Sequence, residues 1–283
     1  MALLRTLLIV GRVSNLPTLW SNCLAGWWLG GAGNPERLPL LVAGASLLYL
    51  GGMFLNDAFD AQYDRQYRPE RPIPAGDIGL TMVWRWGLIV LGLGGVSLIL
   101  LGRTTGALGI VLLLLIVLYN AFHKQIVWAP VLMAACRFLV YVIAASTSVN
   151  GVAGWSLWGG LALALYIGGL SVIARREVMP RLASHWPALF LAAPIVLALL
   201  MNGPGYRLAA GLLAAALALW VAYALRQSLW CDKPNIGRTV SWLLAGIVLV
   251  DWLAVADATR QLGFAFIAFF VSALVLQRVV PAT

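Results

Sequence analysis

Stretches of about 20 apolar residues recur from one end of this chain to the other, separated by short polar segments, and each can cross a bilayer core as a helix. With 62% hydrophobic and only 10% charged side chains, the 283-residue chain has too little polar surface for a water-soluble enzyme. The expected fold is all-α: a polytopic membrane helical bundle around a central cavity. Spans are predicted over residues 16–33, 38–56, 81–102, 105–121, 127–147, 155–174, 186–202, 207–225, 236–256 and 261–280. Ten helices are expected, or nine if one segment only dips into the membrane. Thirteen Trp and eight Tyr suit a chain meeting two membrane interfaces. The three cysteines, Cys23, Cys136 and Cys231, are spaced for neither a disulfide framework nor a zinc site. No repeat or composition break divides residues 1–283, so a single transmembrane domain is expected.

The net charge of +9 is spread as single residues between apolar runs, a pattern of membrane topology and not of nucleic-acid binding. Arg5, Arg12, Arg65, Arg68, Arg71, Arg85, Lys124, Arg175, Arg176, Arg181, Arg226, Lys233, Arg238 and Arg278 fall on one side of the predicted bundle. Only Arg37, Arg103, Arg207 and Arg260 fall on the other, while Arg137 lies inside the fifth span. Positive charge therefore assigns both termini and the longest polar loops to the cytoplasm. The N-terminal segment is cut short by Arg12 and lacks a small-residue cleavage site, so it is expected to stay on the protein. An integral protein of a bacterial inner (plasma) membrane is the expected setting, with membrane lipids as surroundings.

Five of the ten acidic residues, Asp57, Asp60, Asp64, Glu70 and Asp77, cluster at the cytoplasmic end of the second span. In Asn56–Asp64 (NDAFDAQYD) the carboxylates are three and four residues apart, which places them on one face if the helix continues. Unneutralised, they repel one another. Mg2+ removes the repulsion: it takes oxygen ligands, keeps several waters, and is commonly held by one or two carboxylates plus a substrate phosphate. Arg65, Arg68 and Arg71 follow in a segment whose three prolines and Gly76 exclude a long helix, leaving guanidinium groups on a shaped loop able to clamp phosphate. A salt-bridged surface loop is the plain structural alternative.

NDAFDAQYD followed by RPERPIPAG resembles the first aspartate-rich motif of the UbiA superfamily of intramembrane prenyltransferases. The opening GRVSNLPTLWSNCLAG is similar to that family's first helix, with Asn22 at its polar position, and Tyr119 and Lys124 match a Tyr and Lys after its fourth helix. The resemblance implies that Mg2+, bound by Asn56, Asp57, Asp60 and Asp64, holds the diphosphate of a prenyl donor. Asp57, Asp60 and Asp64 become the catalytic carboxylates, with Arg68, Arg71 and Lys124 as diphosphate contacts. The implied reaction transfers the prenyl group from this lipid donor to a small polar acceptor, aromatic or cyclic. Neutralising the diphosphate lets the allylic carbon–oxygen bond ionise, while an apolar cavity excludes water from the carbocation.

The family's second aspartate motif is missing. At the corresponding place Ile167 and Ala174 stand where aspartates are expected, followed by Arg175, Arg176 and Glu177. Arg175 and Arg176 either replace a second metal with fixed positive charge, contact an acceptor, or anchor the helix end, and Glu177 is the one local metal ligand. The Ala-Arg-x-Glu pattern also looks like the UbiA-like EboC branch, which implies lipid linking or export of a biosynthetic precursor as the rival to prenyl transfer. Arg137 is costly in a span without a partner or water, and a cavity-facing, substrate-binding role accounts for it better than snorkelling. Asp251 reads as an ion site or as a hydrogen-bonded carboxyl, and His123 and His185 as interfacial residues.

Overall fold

A computed structural model describes residues 2–175, 186–200, 206–229 and 235–282. They form helices without a strand: α1 (Ala2–Val10), α2 (Leu16–Leu29), α3 (Leu38–Tyr67), α4 (Leu80–Leu100), α5 (Arg103–Phe122), α6 (Ala129–Ser146), α7 (Gly154–Arg175), α8 (Ala193–Leu200), α9 (Arg207–Leu229), α10 (Ile236–Ala254) and α11 (Arg260–Leu276). Arg176 and Glu177 lie outside the described residues, as do Arg181, His185, Cys231 and Lys233.

Seven of these helices, α3 to α7, α9 and α10, are long and apolar enough to cross a membrane, which makes this an integral membrane protein. Length alone does not sustain the expected nine to ten spans. The predicted first span, 16–33, starts where expected but closes at Gly30, which leaves 14 residues. The predicted seventh resolves into a 3₁₀ stretch, Trp186–Ala192, and an eight-residue α8 with Pro194 in its first turn. The last, α11, has 17 residues.

α3 departs in the other direction. It runs 30 residues, about 45 Å at 1.5 Å per residue, against a hydrocarbon core of about 30 Å. Its final turns therefore stand beyond the core, and these turns carry Asp57, Asp60 and Asp64. The helix stops where Pro69, Pro72 and Pro74 begin, with Arg68 already out of helical geometry at φ −143°, ψ 61°. Ile73 and Ile78 then bury against Phe54, Ala58, Ala61 and Val83, folding the loop back over the end of α3.

Neighbouring helices gain no hydrophobic drive inside lipid, so close backbone approach matters more. α3 and α4 meet through Gly51 and Gly94: a Cβ on Gly51 would stand 2.7 Å from the Leu91 nitrogen, and one on Gly94 2.7 Å from the Leu48 nitrogen. Two large apolar cores result beside the small cluster over the end of α3. One unites residues of α2 to α6, the other residues of α2 and of α6 to α11, with α2 and α6 contributing to both.

Candidate active site

α3 continues through the acidic segment, so the helical spacing holds and the three aspartates share one end of the bundle. Asp57 is 5% exposed and its Oδ1 accepts from Arg12 Nη2 at 3.2 Å and Arg71 Nη1 at 3.4 Å. Asp60 Oδ1 lies 2.7 Å from Lys124 Nζ and 3.5 Å from His123 Nε2. Asp64 is 3% exposed, and no hydrogen bond or ion pair holds its carboxylate among the described residues. Burial, then the Arg12 charge, lower the Arg71 guanidinium from its ordinary range, while Asp57 and Asp64 oppose that shift.

Around this core the polar contacts are specific. Arg12 Nη2 also donates to Asn56 Oδ1 at 3.2 Å, and Arg12 Nη1 points to Met53 Sδ at 3.6 Å. Asn56 donates to Asn120, which in turn donates to the Gly52 carbonyl. Lys124 Nζ sits 3.7 Å over the Tyr63 ring, and Tyr119 stacks on His123 at 5.1 Å. Arg68 is half-buried at the helix end.

Oxygen donors of this kind fit Mg2+, although no three His, Cys, Asp or Glu side chains converge into a closed cage among the described residues. That openness agrees with Mg2+ chemistry, in which one or two carboxylates suffice when waters and phosphate complete the shell. Four basic side chains already surround the carboxylates, so an anion entering with a cation keeps the local charge balanced.

The remaining predicted residues fall elsewhere. Arg175 turns away from the carboxylates: its Nη1 donates to the Val127 carbonyl at 2.9 Å and its Nη2 to those of His123 and Ile126 at 2.9 and 3.0 Å. It thus fixes the α5–α6 loop that carries Lys124. Ile167 is core and brings no ligand. With Arg176 and Glu177 outside the described residues, the EboC-like pattern has no described site geometry.

Asn22 and Arg137 form a second polar cluster, between α2, α6 and α10. Arg137, 8% exposed, donates from Nη1 to Asn22 Oδ1 at 2.6 Å and from Nη2 to Thr18 Oγ1 at 3.3 Å. Asn22 Nδ2 reaches Asp251 Oδ2 at 2.6 Å, and Asp251 also accepts from Ser21 at 2.5 Å and Tyr141 at 2.6 Å. Of the two readings of Asp251, the hydrogen-bonded carboxyl is the one seen.

Between the clusters lies a cavity of about 90 Å³, lined by Arg137, Tyr119, Asn120 and Tyr49 among apolar side chains such as Leu48 and Ile116. A larger cavity of about 700 Å³, lined by Trp28, Trp155, Trp158, Tyr206 and Asp257, opens at the opposite end and shares no residue with the aspartate site.

Sequence reasoning missed three residues of this cluster, Arg12, Tyr63 and His123, whereas Asn120, expected to hydrogen-bond across helices, does so with Asn56. By sequence Arg12 reads as a topology-setting charge and His123 as an interfacial residue. The clue at Arg12 was its place beside Asn15 at the mouth of a polar first helix. Tyr63 was also legible, one residue before Asp64 on a helix already read as functional.

Fold and site together define a class: membrane-embedded helical proteins with an acid-base cluster at one end of the bundle and an apolar cavity beneath it. Residues 14–225 match the UbiA prenyltransferase family, and the chain belongs to that family. It is 30% identical to a digeranylgeranylglyceryl phosphate synthase of Methanoregula boonei over 230 residues, 79% of this chain and 74% of that protein. A digeranylgeranylglyceryl phosphate synthase of Sulfolobus acidocaldarius is 30% identical over 127 residues, 44% of this chain, and the match spans only 43% of that relative. Bovine mitochondrial 4-hydroxybenzoate polyprenyltransferase is 31% identical over 171 residues, 55% of this chain and 41% of that protein.

The fold is shared with solved structures. A structure described for digeranylgeranylglyceryl phosphate synthase superposes with a TM-score of 0.62 at 20% identity, covering 96% of this chain and 99% of that one. A UbiA homologue from Archaeoglobus fulgidus, bound to GPP and Mg2+, gives 0.53 at 13% identity over 97% and 99%.

Proposed function

We propose that this protein is a Mg2+-dependent intramembrane prenyltransferase that moves a prenyl group from a prenyl diphosphate to a polar aromatic or cyclic acceptor. The observation that carries the reading is the α3 aspartate set, held beyond the apolar part of its helix and ringed by Arg12, Arg71, Lys124 and His123. Family membership and the prenyl ligand of the Archaeoglobus structure support it.

In this reading Asp57, Asp60 and Asp64, with Asn56, hold the metal, which when bound neutralises and orients the diphosphate. Arg12, Arg68, Arg71 and Lys124 exchange their carboxylate or solvent partners for diphosphate oxygens, stabilising the charge that develops on the leaving group. The bond from the allylic carbon to the bridging oxygen breaks and both electrons leave with diphosphate. The acceptor forms the new bond to that carbon and loses one proton, which the departing diphosphate takes up. Leu48, Ile116 and the aromatic walls exclude water, and Tyr119 offers a ring face near the developing cation. Arg175 serves by holding the Lys124 loop. Arg176 and Glu177 remain assigned to the same end by sequence.

A contact between distant residues supports a ten-span topology. Asn15 Nδ2 donates to the Ala282 carbonyl at 3.0 Å, so residues at the start of α2 and just past α11 share one end of the bundle. An even number of crossings connects them, and counting α2, α11 and the 186–200 segment with the seven long helices gives ten. In this reading the bias of positive charge supports a cytoplasmic aspartate end, and residues 1–283 are taken as one transmembrane domain.

The test is mass spectrometry of lipids formed by purified protein from mixed prenyl diphosphates and acceptors, in Mg2+ or EDTA, beside Asp60→Ala. Metal-dependent product that vanishes in the variant is expected. Donor binding without product across a broad acceptor panel would refute transfer.

A further inference from the structure

We infer that the large cavity at the end of the bundle opposite the aspartates binds the ammonium headgroup of a membrane lipid. The space exists because α8 does not fill it: eight residues at 1.5 Å each reach about 12 Å, less than half of a bilayer core, and Pro194, Leu197 and Ala198 of this short helix form part of the wall. About 700 Å³ remains, enough for a headgroup and the start of its hydrocarbon. No lining residue is shared with the cavity beneath the aspartates, and the inference does not depend on prenyl transfer.

The charge of the lining points to a cation. In a chain with 19 Lys and Arg against 10 Asp and Glu, the described lining holds one carboxylate, Asp257, and no base. Asp257 is exposed, and no ion pair engages its carboxylate among the described residues. Trp28, Trp155, Trp158 and Tyr206 share the lining, and aromatic faces attract a cation most where water is excluded. Tyr206 is tied to α10 by a hydrogen bond from its hydroxyl to the Leu253 carbonyl. Burial, then the Asp257 charge, push its phenol up to about 12, so ring and carboxylate lie within electrostatic reach of each other.

Several aromatic faces and one carboxylate suit an organic ammonium, whereas a hydrated divalent metal asks for more oxygen ligands. Position names the source. Trp155 and Trp158, 58% and 47% exposed, lie in the first turns of α7, at the level where a spanning helix meets lipid headgroups. Arg207 and Arg260 open α9 and α11, one residue from Tyr206 and three from Asp257, and neither forms an ion pair among the described residues. A lipid phosphate beside the ammonium therefore finds a cationic partner at the same end, while Leu29 and Val250 offer apolar wall to the chains.

The test is isothermal titration of the full-length protein in dodecyl maltoside with hexyltrimethylammonium against hexyldimethylamine oxide, which has a similar shape and no net charge. The cation should bind about tenfold tighter to wild-type protein. Asp257→Asn should abolish that preference and Trp158→Leu should reduce it about fivefold. Glu36→Gln, which removes an exposed carboxylate between α2 and α3 outside the cavity, should leave it intact. Dioleoyl phosphatidylethanolamine added to the micelles should compete and weaken probe binding about fivefold, whereas dioleoylglycerol, with the same chains and no ammonium, should not. Equal binding of cation and amine oxide to wild-type protein, a loss in Glu36→Gln matching that in Asp257→Asn, or no competition from phosphatidylethanolamine overturns the inference. If Trp158→Leu is not monodisperse, Asp257→Asn at its exposed position still decides. No arm contains GPP or Mg2+, so the outcome stands apart from that of the prenyltransferase reading.

Discussion

Replacing Arg12 by Gln should slow prenyl transfer while tightening metal binding in the absence of donor. Arg12 Nη2 lies 3.2 Å from Asp57 Oδ1, longer than the usual 2.7–2.9 Å of a charged pair, so its bond belongs at the weak end of about 1.5–3 kcal/mol. Mg2+ must compete with this guanidinium for the same oxygen. Removing about 1.5 kcal/mol of competition is worth about tenfold in metal affinity, readable by titration of Mn2+ with electron paramagnetic resonance. Transfer responds in the opposite sense. Loss of one fixed positive group at the leaving diphosphate should cost about 3 kcal/mol, or about 10²-fold in single-turnover rate. Arg12→Lys, which keeps the charge without the fork, should fall between. A turnover within threefold of wild type, or weaker metal binding in Arg12→Gln, would refute the view that Arg12 is exchanged between Asp57 and the diphosphate.

Asp64 is buried without a hydrogen-bond partner among the described residues, so Asp64→Asn should leave the melting temperature in detergent unchanged or higher, yet lower Mg2+-dependent product formation about 10²-fold. Asp251→Asn strips charge from a carboxylate serving Ser21, Asn22 and Tyr141, and should cost about 3 kcal/mol or more in denaturant titrations; Tyr141→Phe, removing one bond, about 1 kcal/mol. Gly51→Val places a branched side chain against the Leu91 backbone, and loss of monodisperse protein on size exclusion is the expected result.

The reach of the sequence can be judged residue by residue. The long helices were legible because hydrocarbon thickness fixes their length, and α3 was legible beyond its apolar part because aspartates three and four apart make sense only on a continuing helix. The segment 186–200 was not, since an apolar run does not reveal that a 3₁₀ turn and Pro194 break it. Arg12 was hidden by a sound rule: positive charge at a cytoplasmic helix end already had an explanation. Arg137 and Asp251 were each singled out, but their shared partner could not be found by spacing. Asn22 lies 115 residues from one and 229 from the other, and only packing brings them together.

That long reach bears on how the protein is made. A ribosome delivers Asn22 first, Arg137 much later and Asp251 nearly last, so α6 enters the membrane carrying a cation whose acidic relay has not been synthesised. Isolated Arg at mid-helix costs about 2.5–3.5 kcal/mol to insert, and α2, with Thr18 and Asn22, and the Tyr49 ring of α3 are on hand to lower that cost. Newly made chains should hold α2 and α6 together as a waiting pair until α10 arrives. Chains stalled before residue 236 should be degraded faster in pulse-chase labelling than chains stalled after 260, making the Asp251 junction the step at which the nascent protein becomes durable.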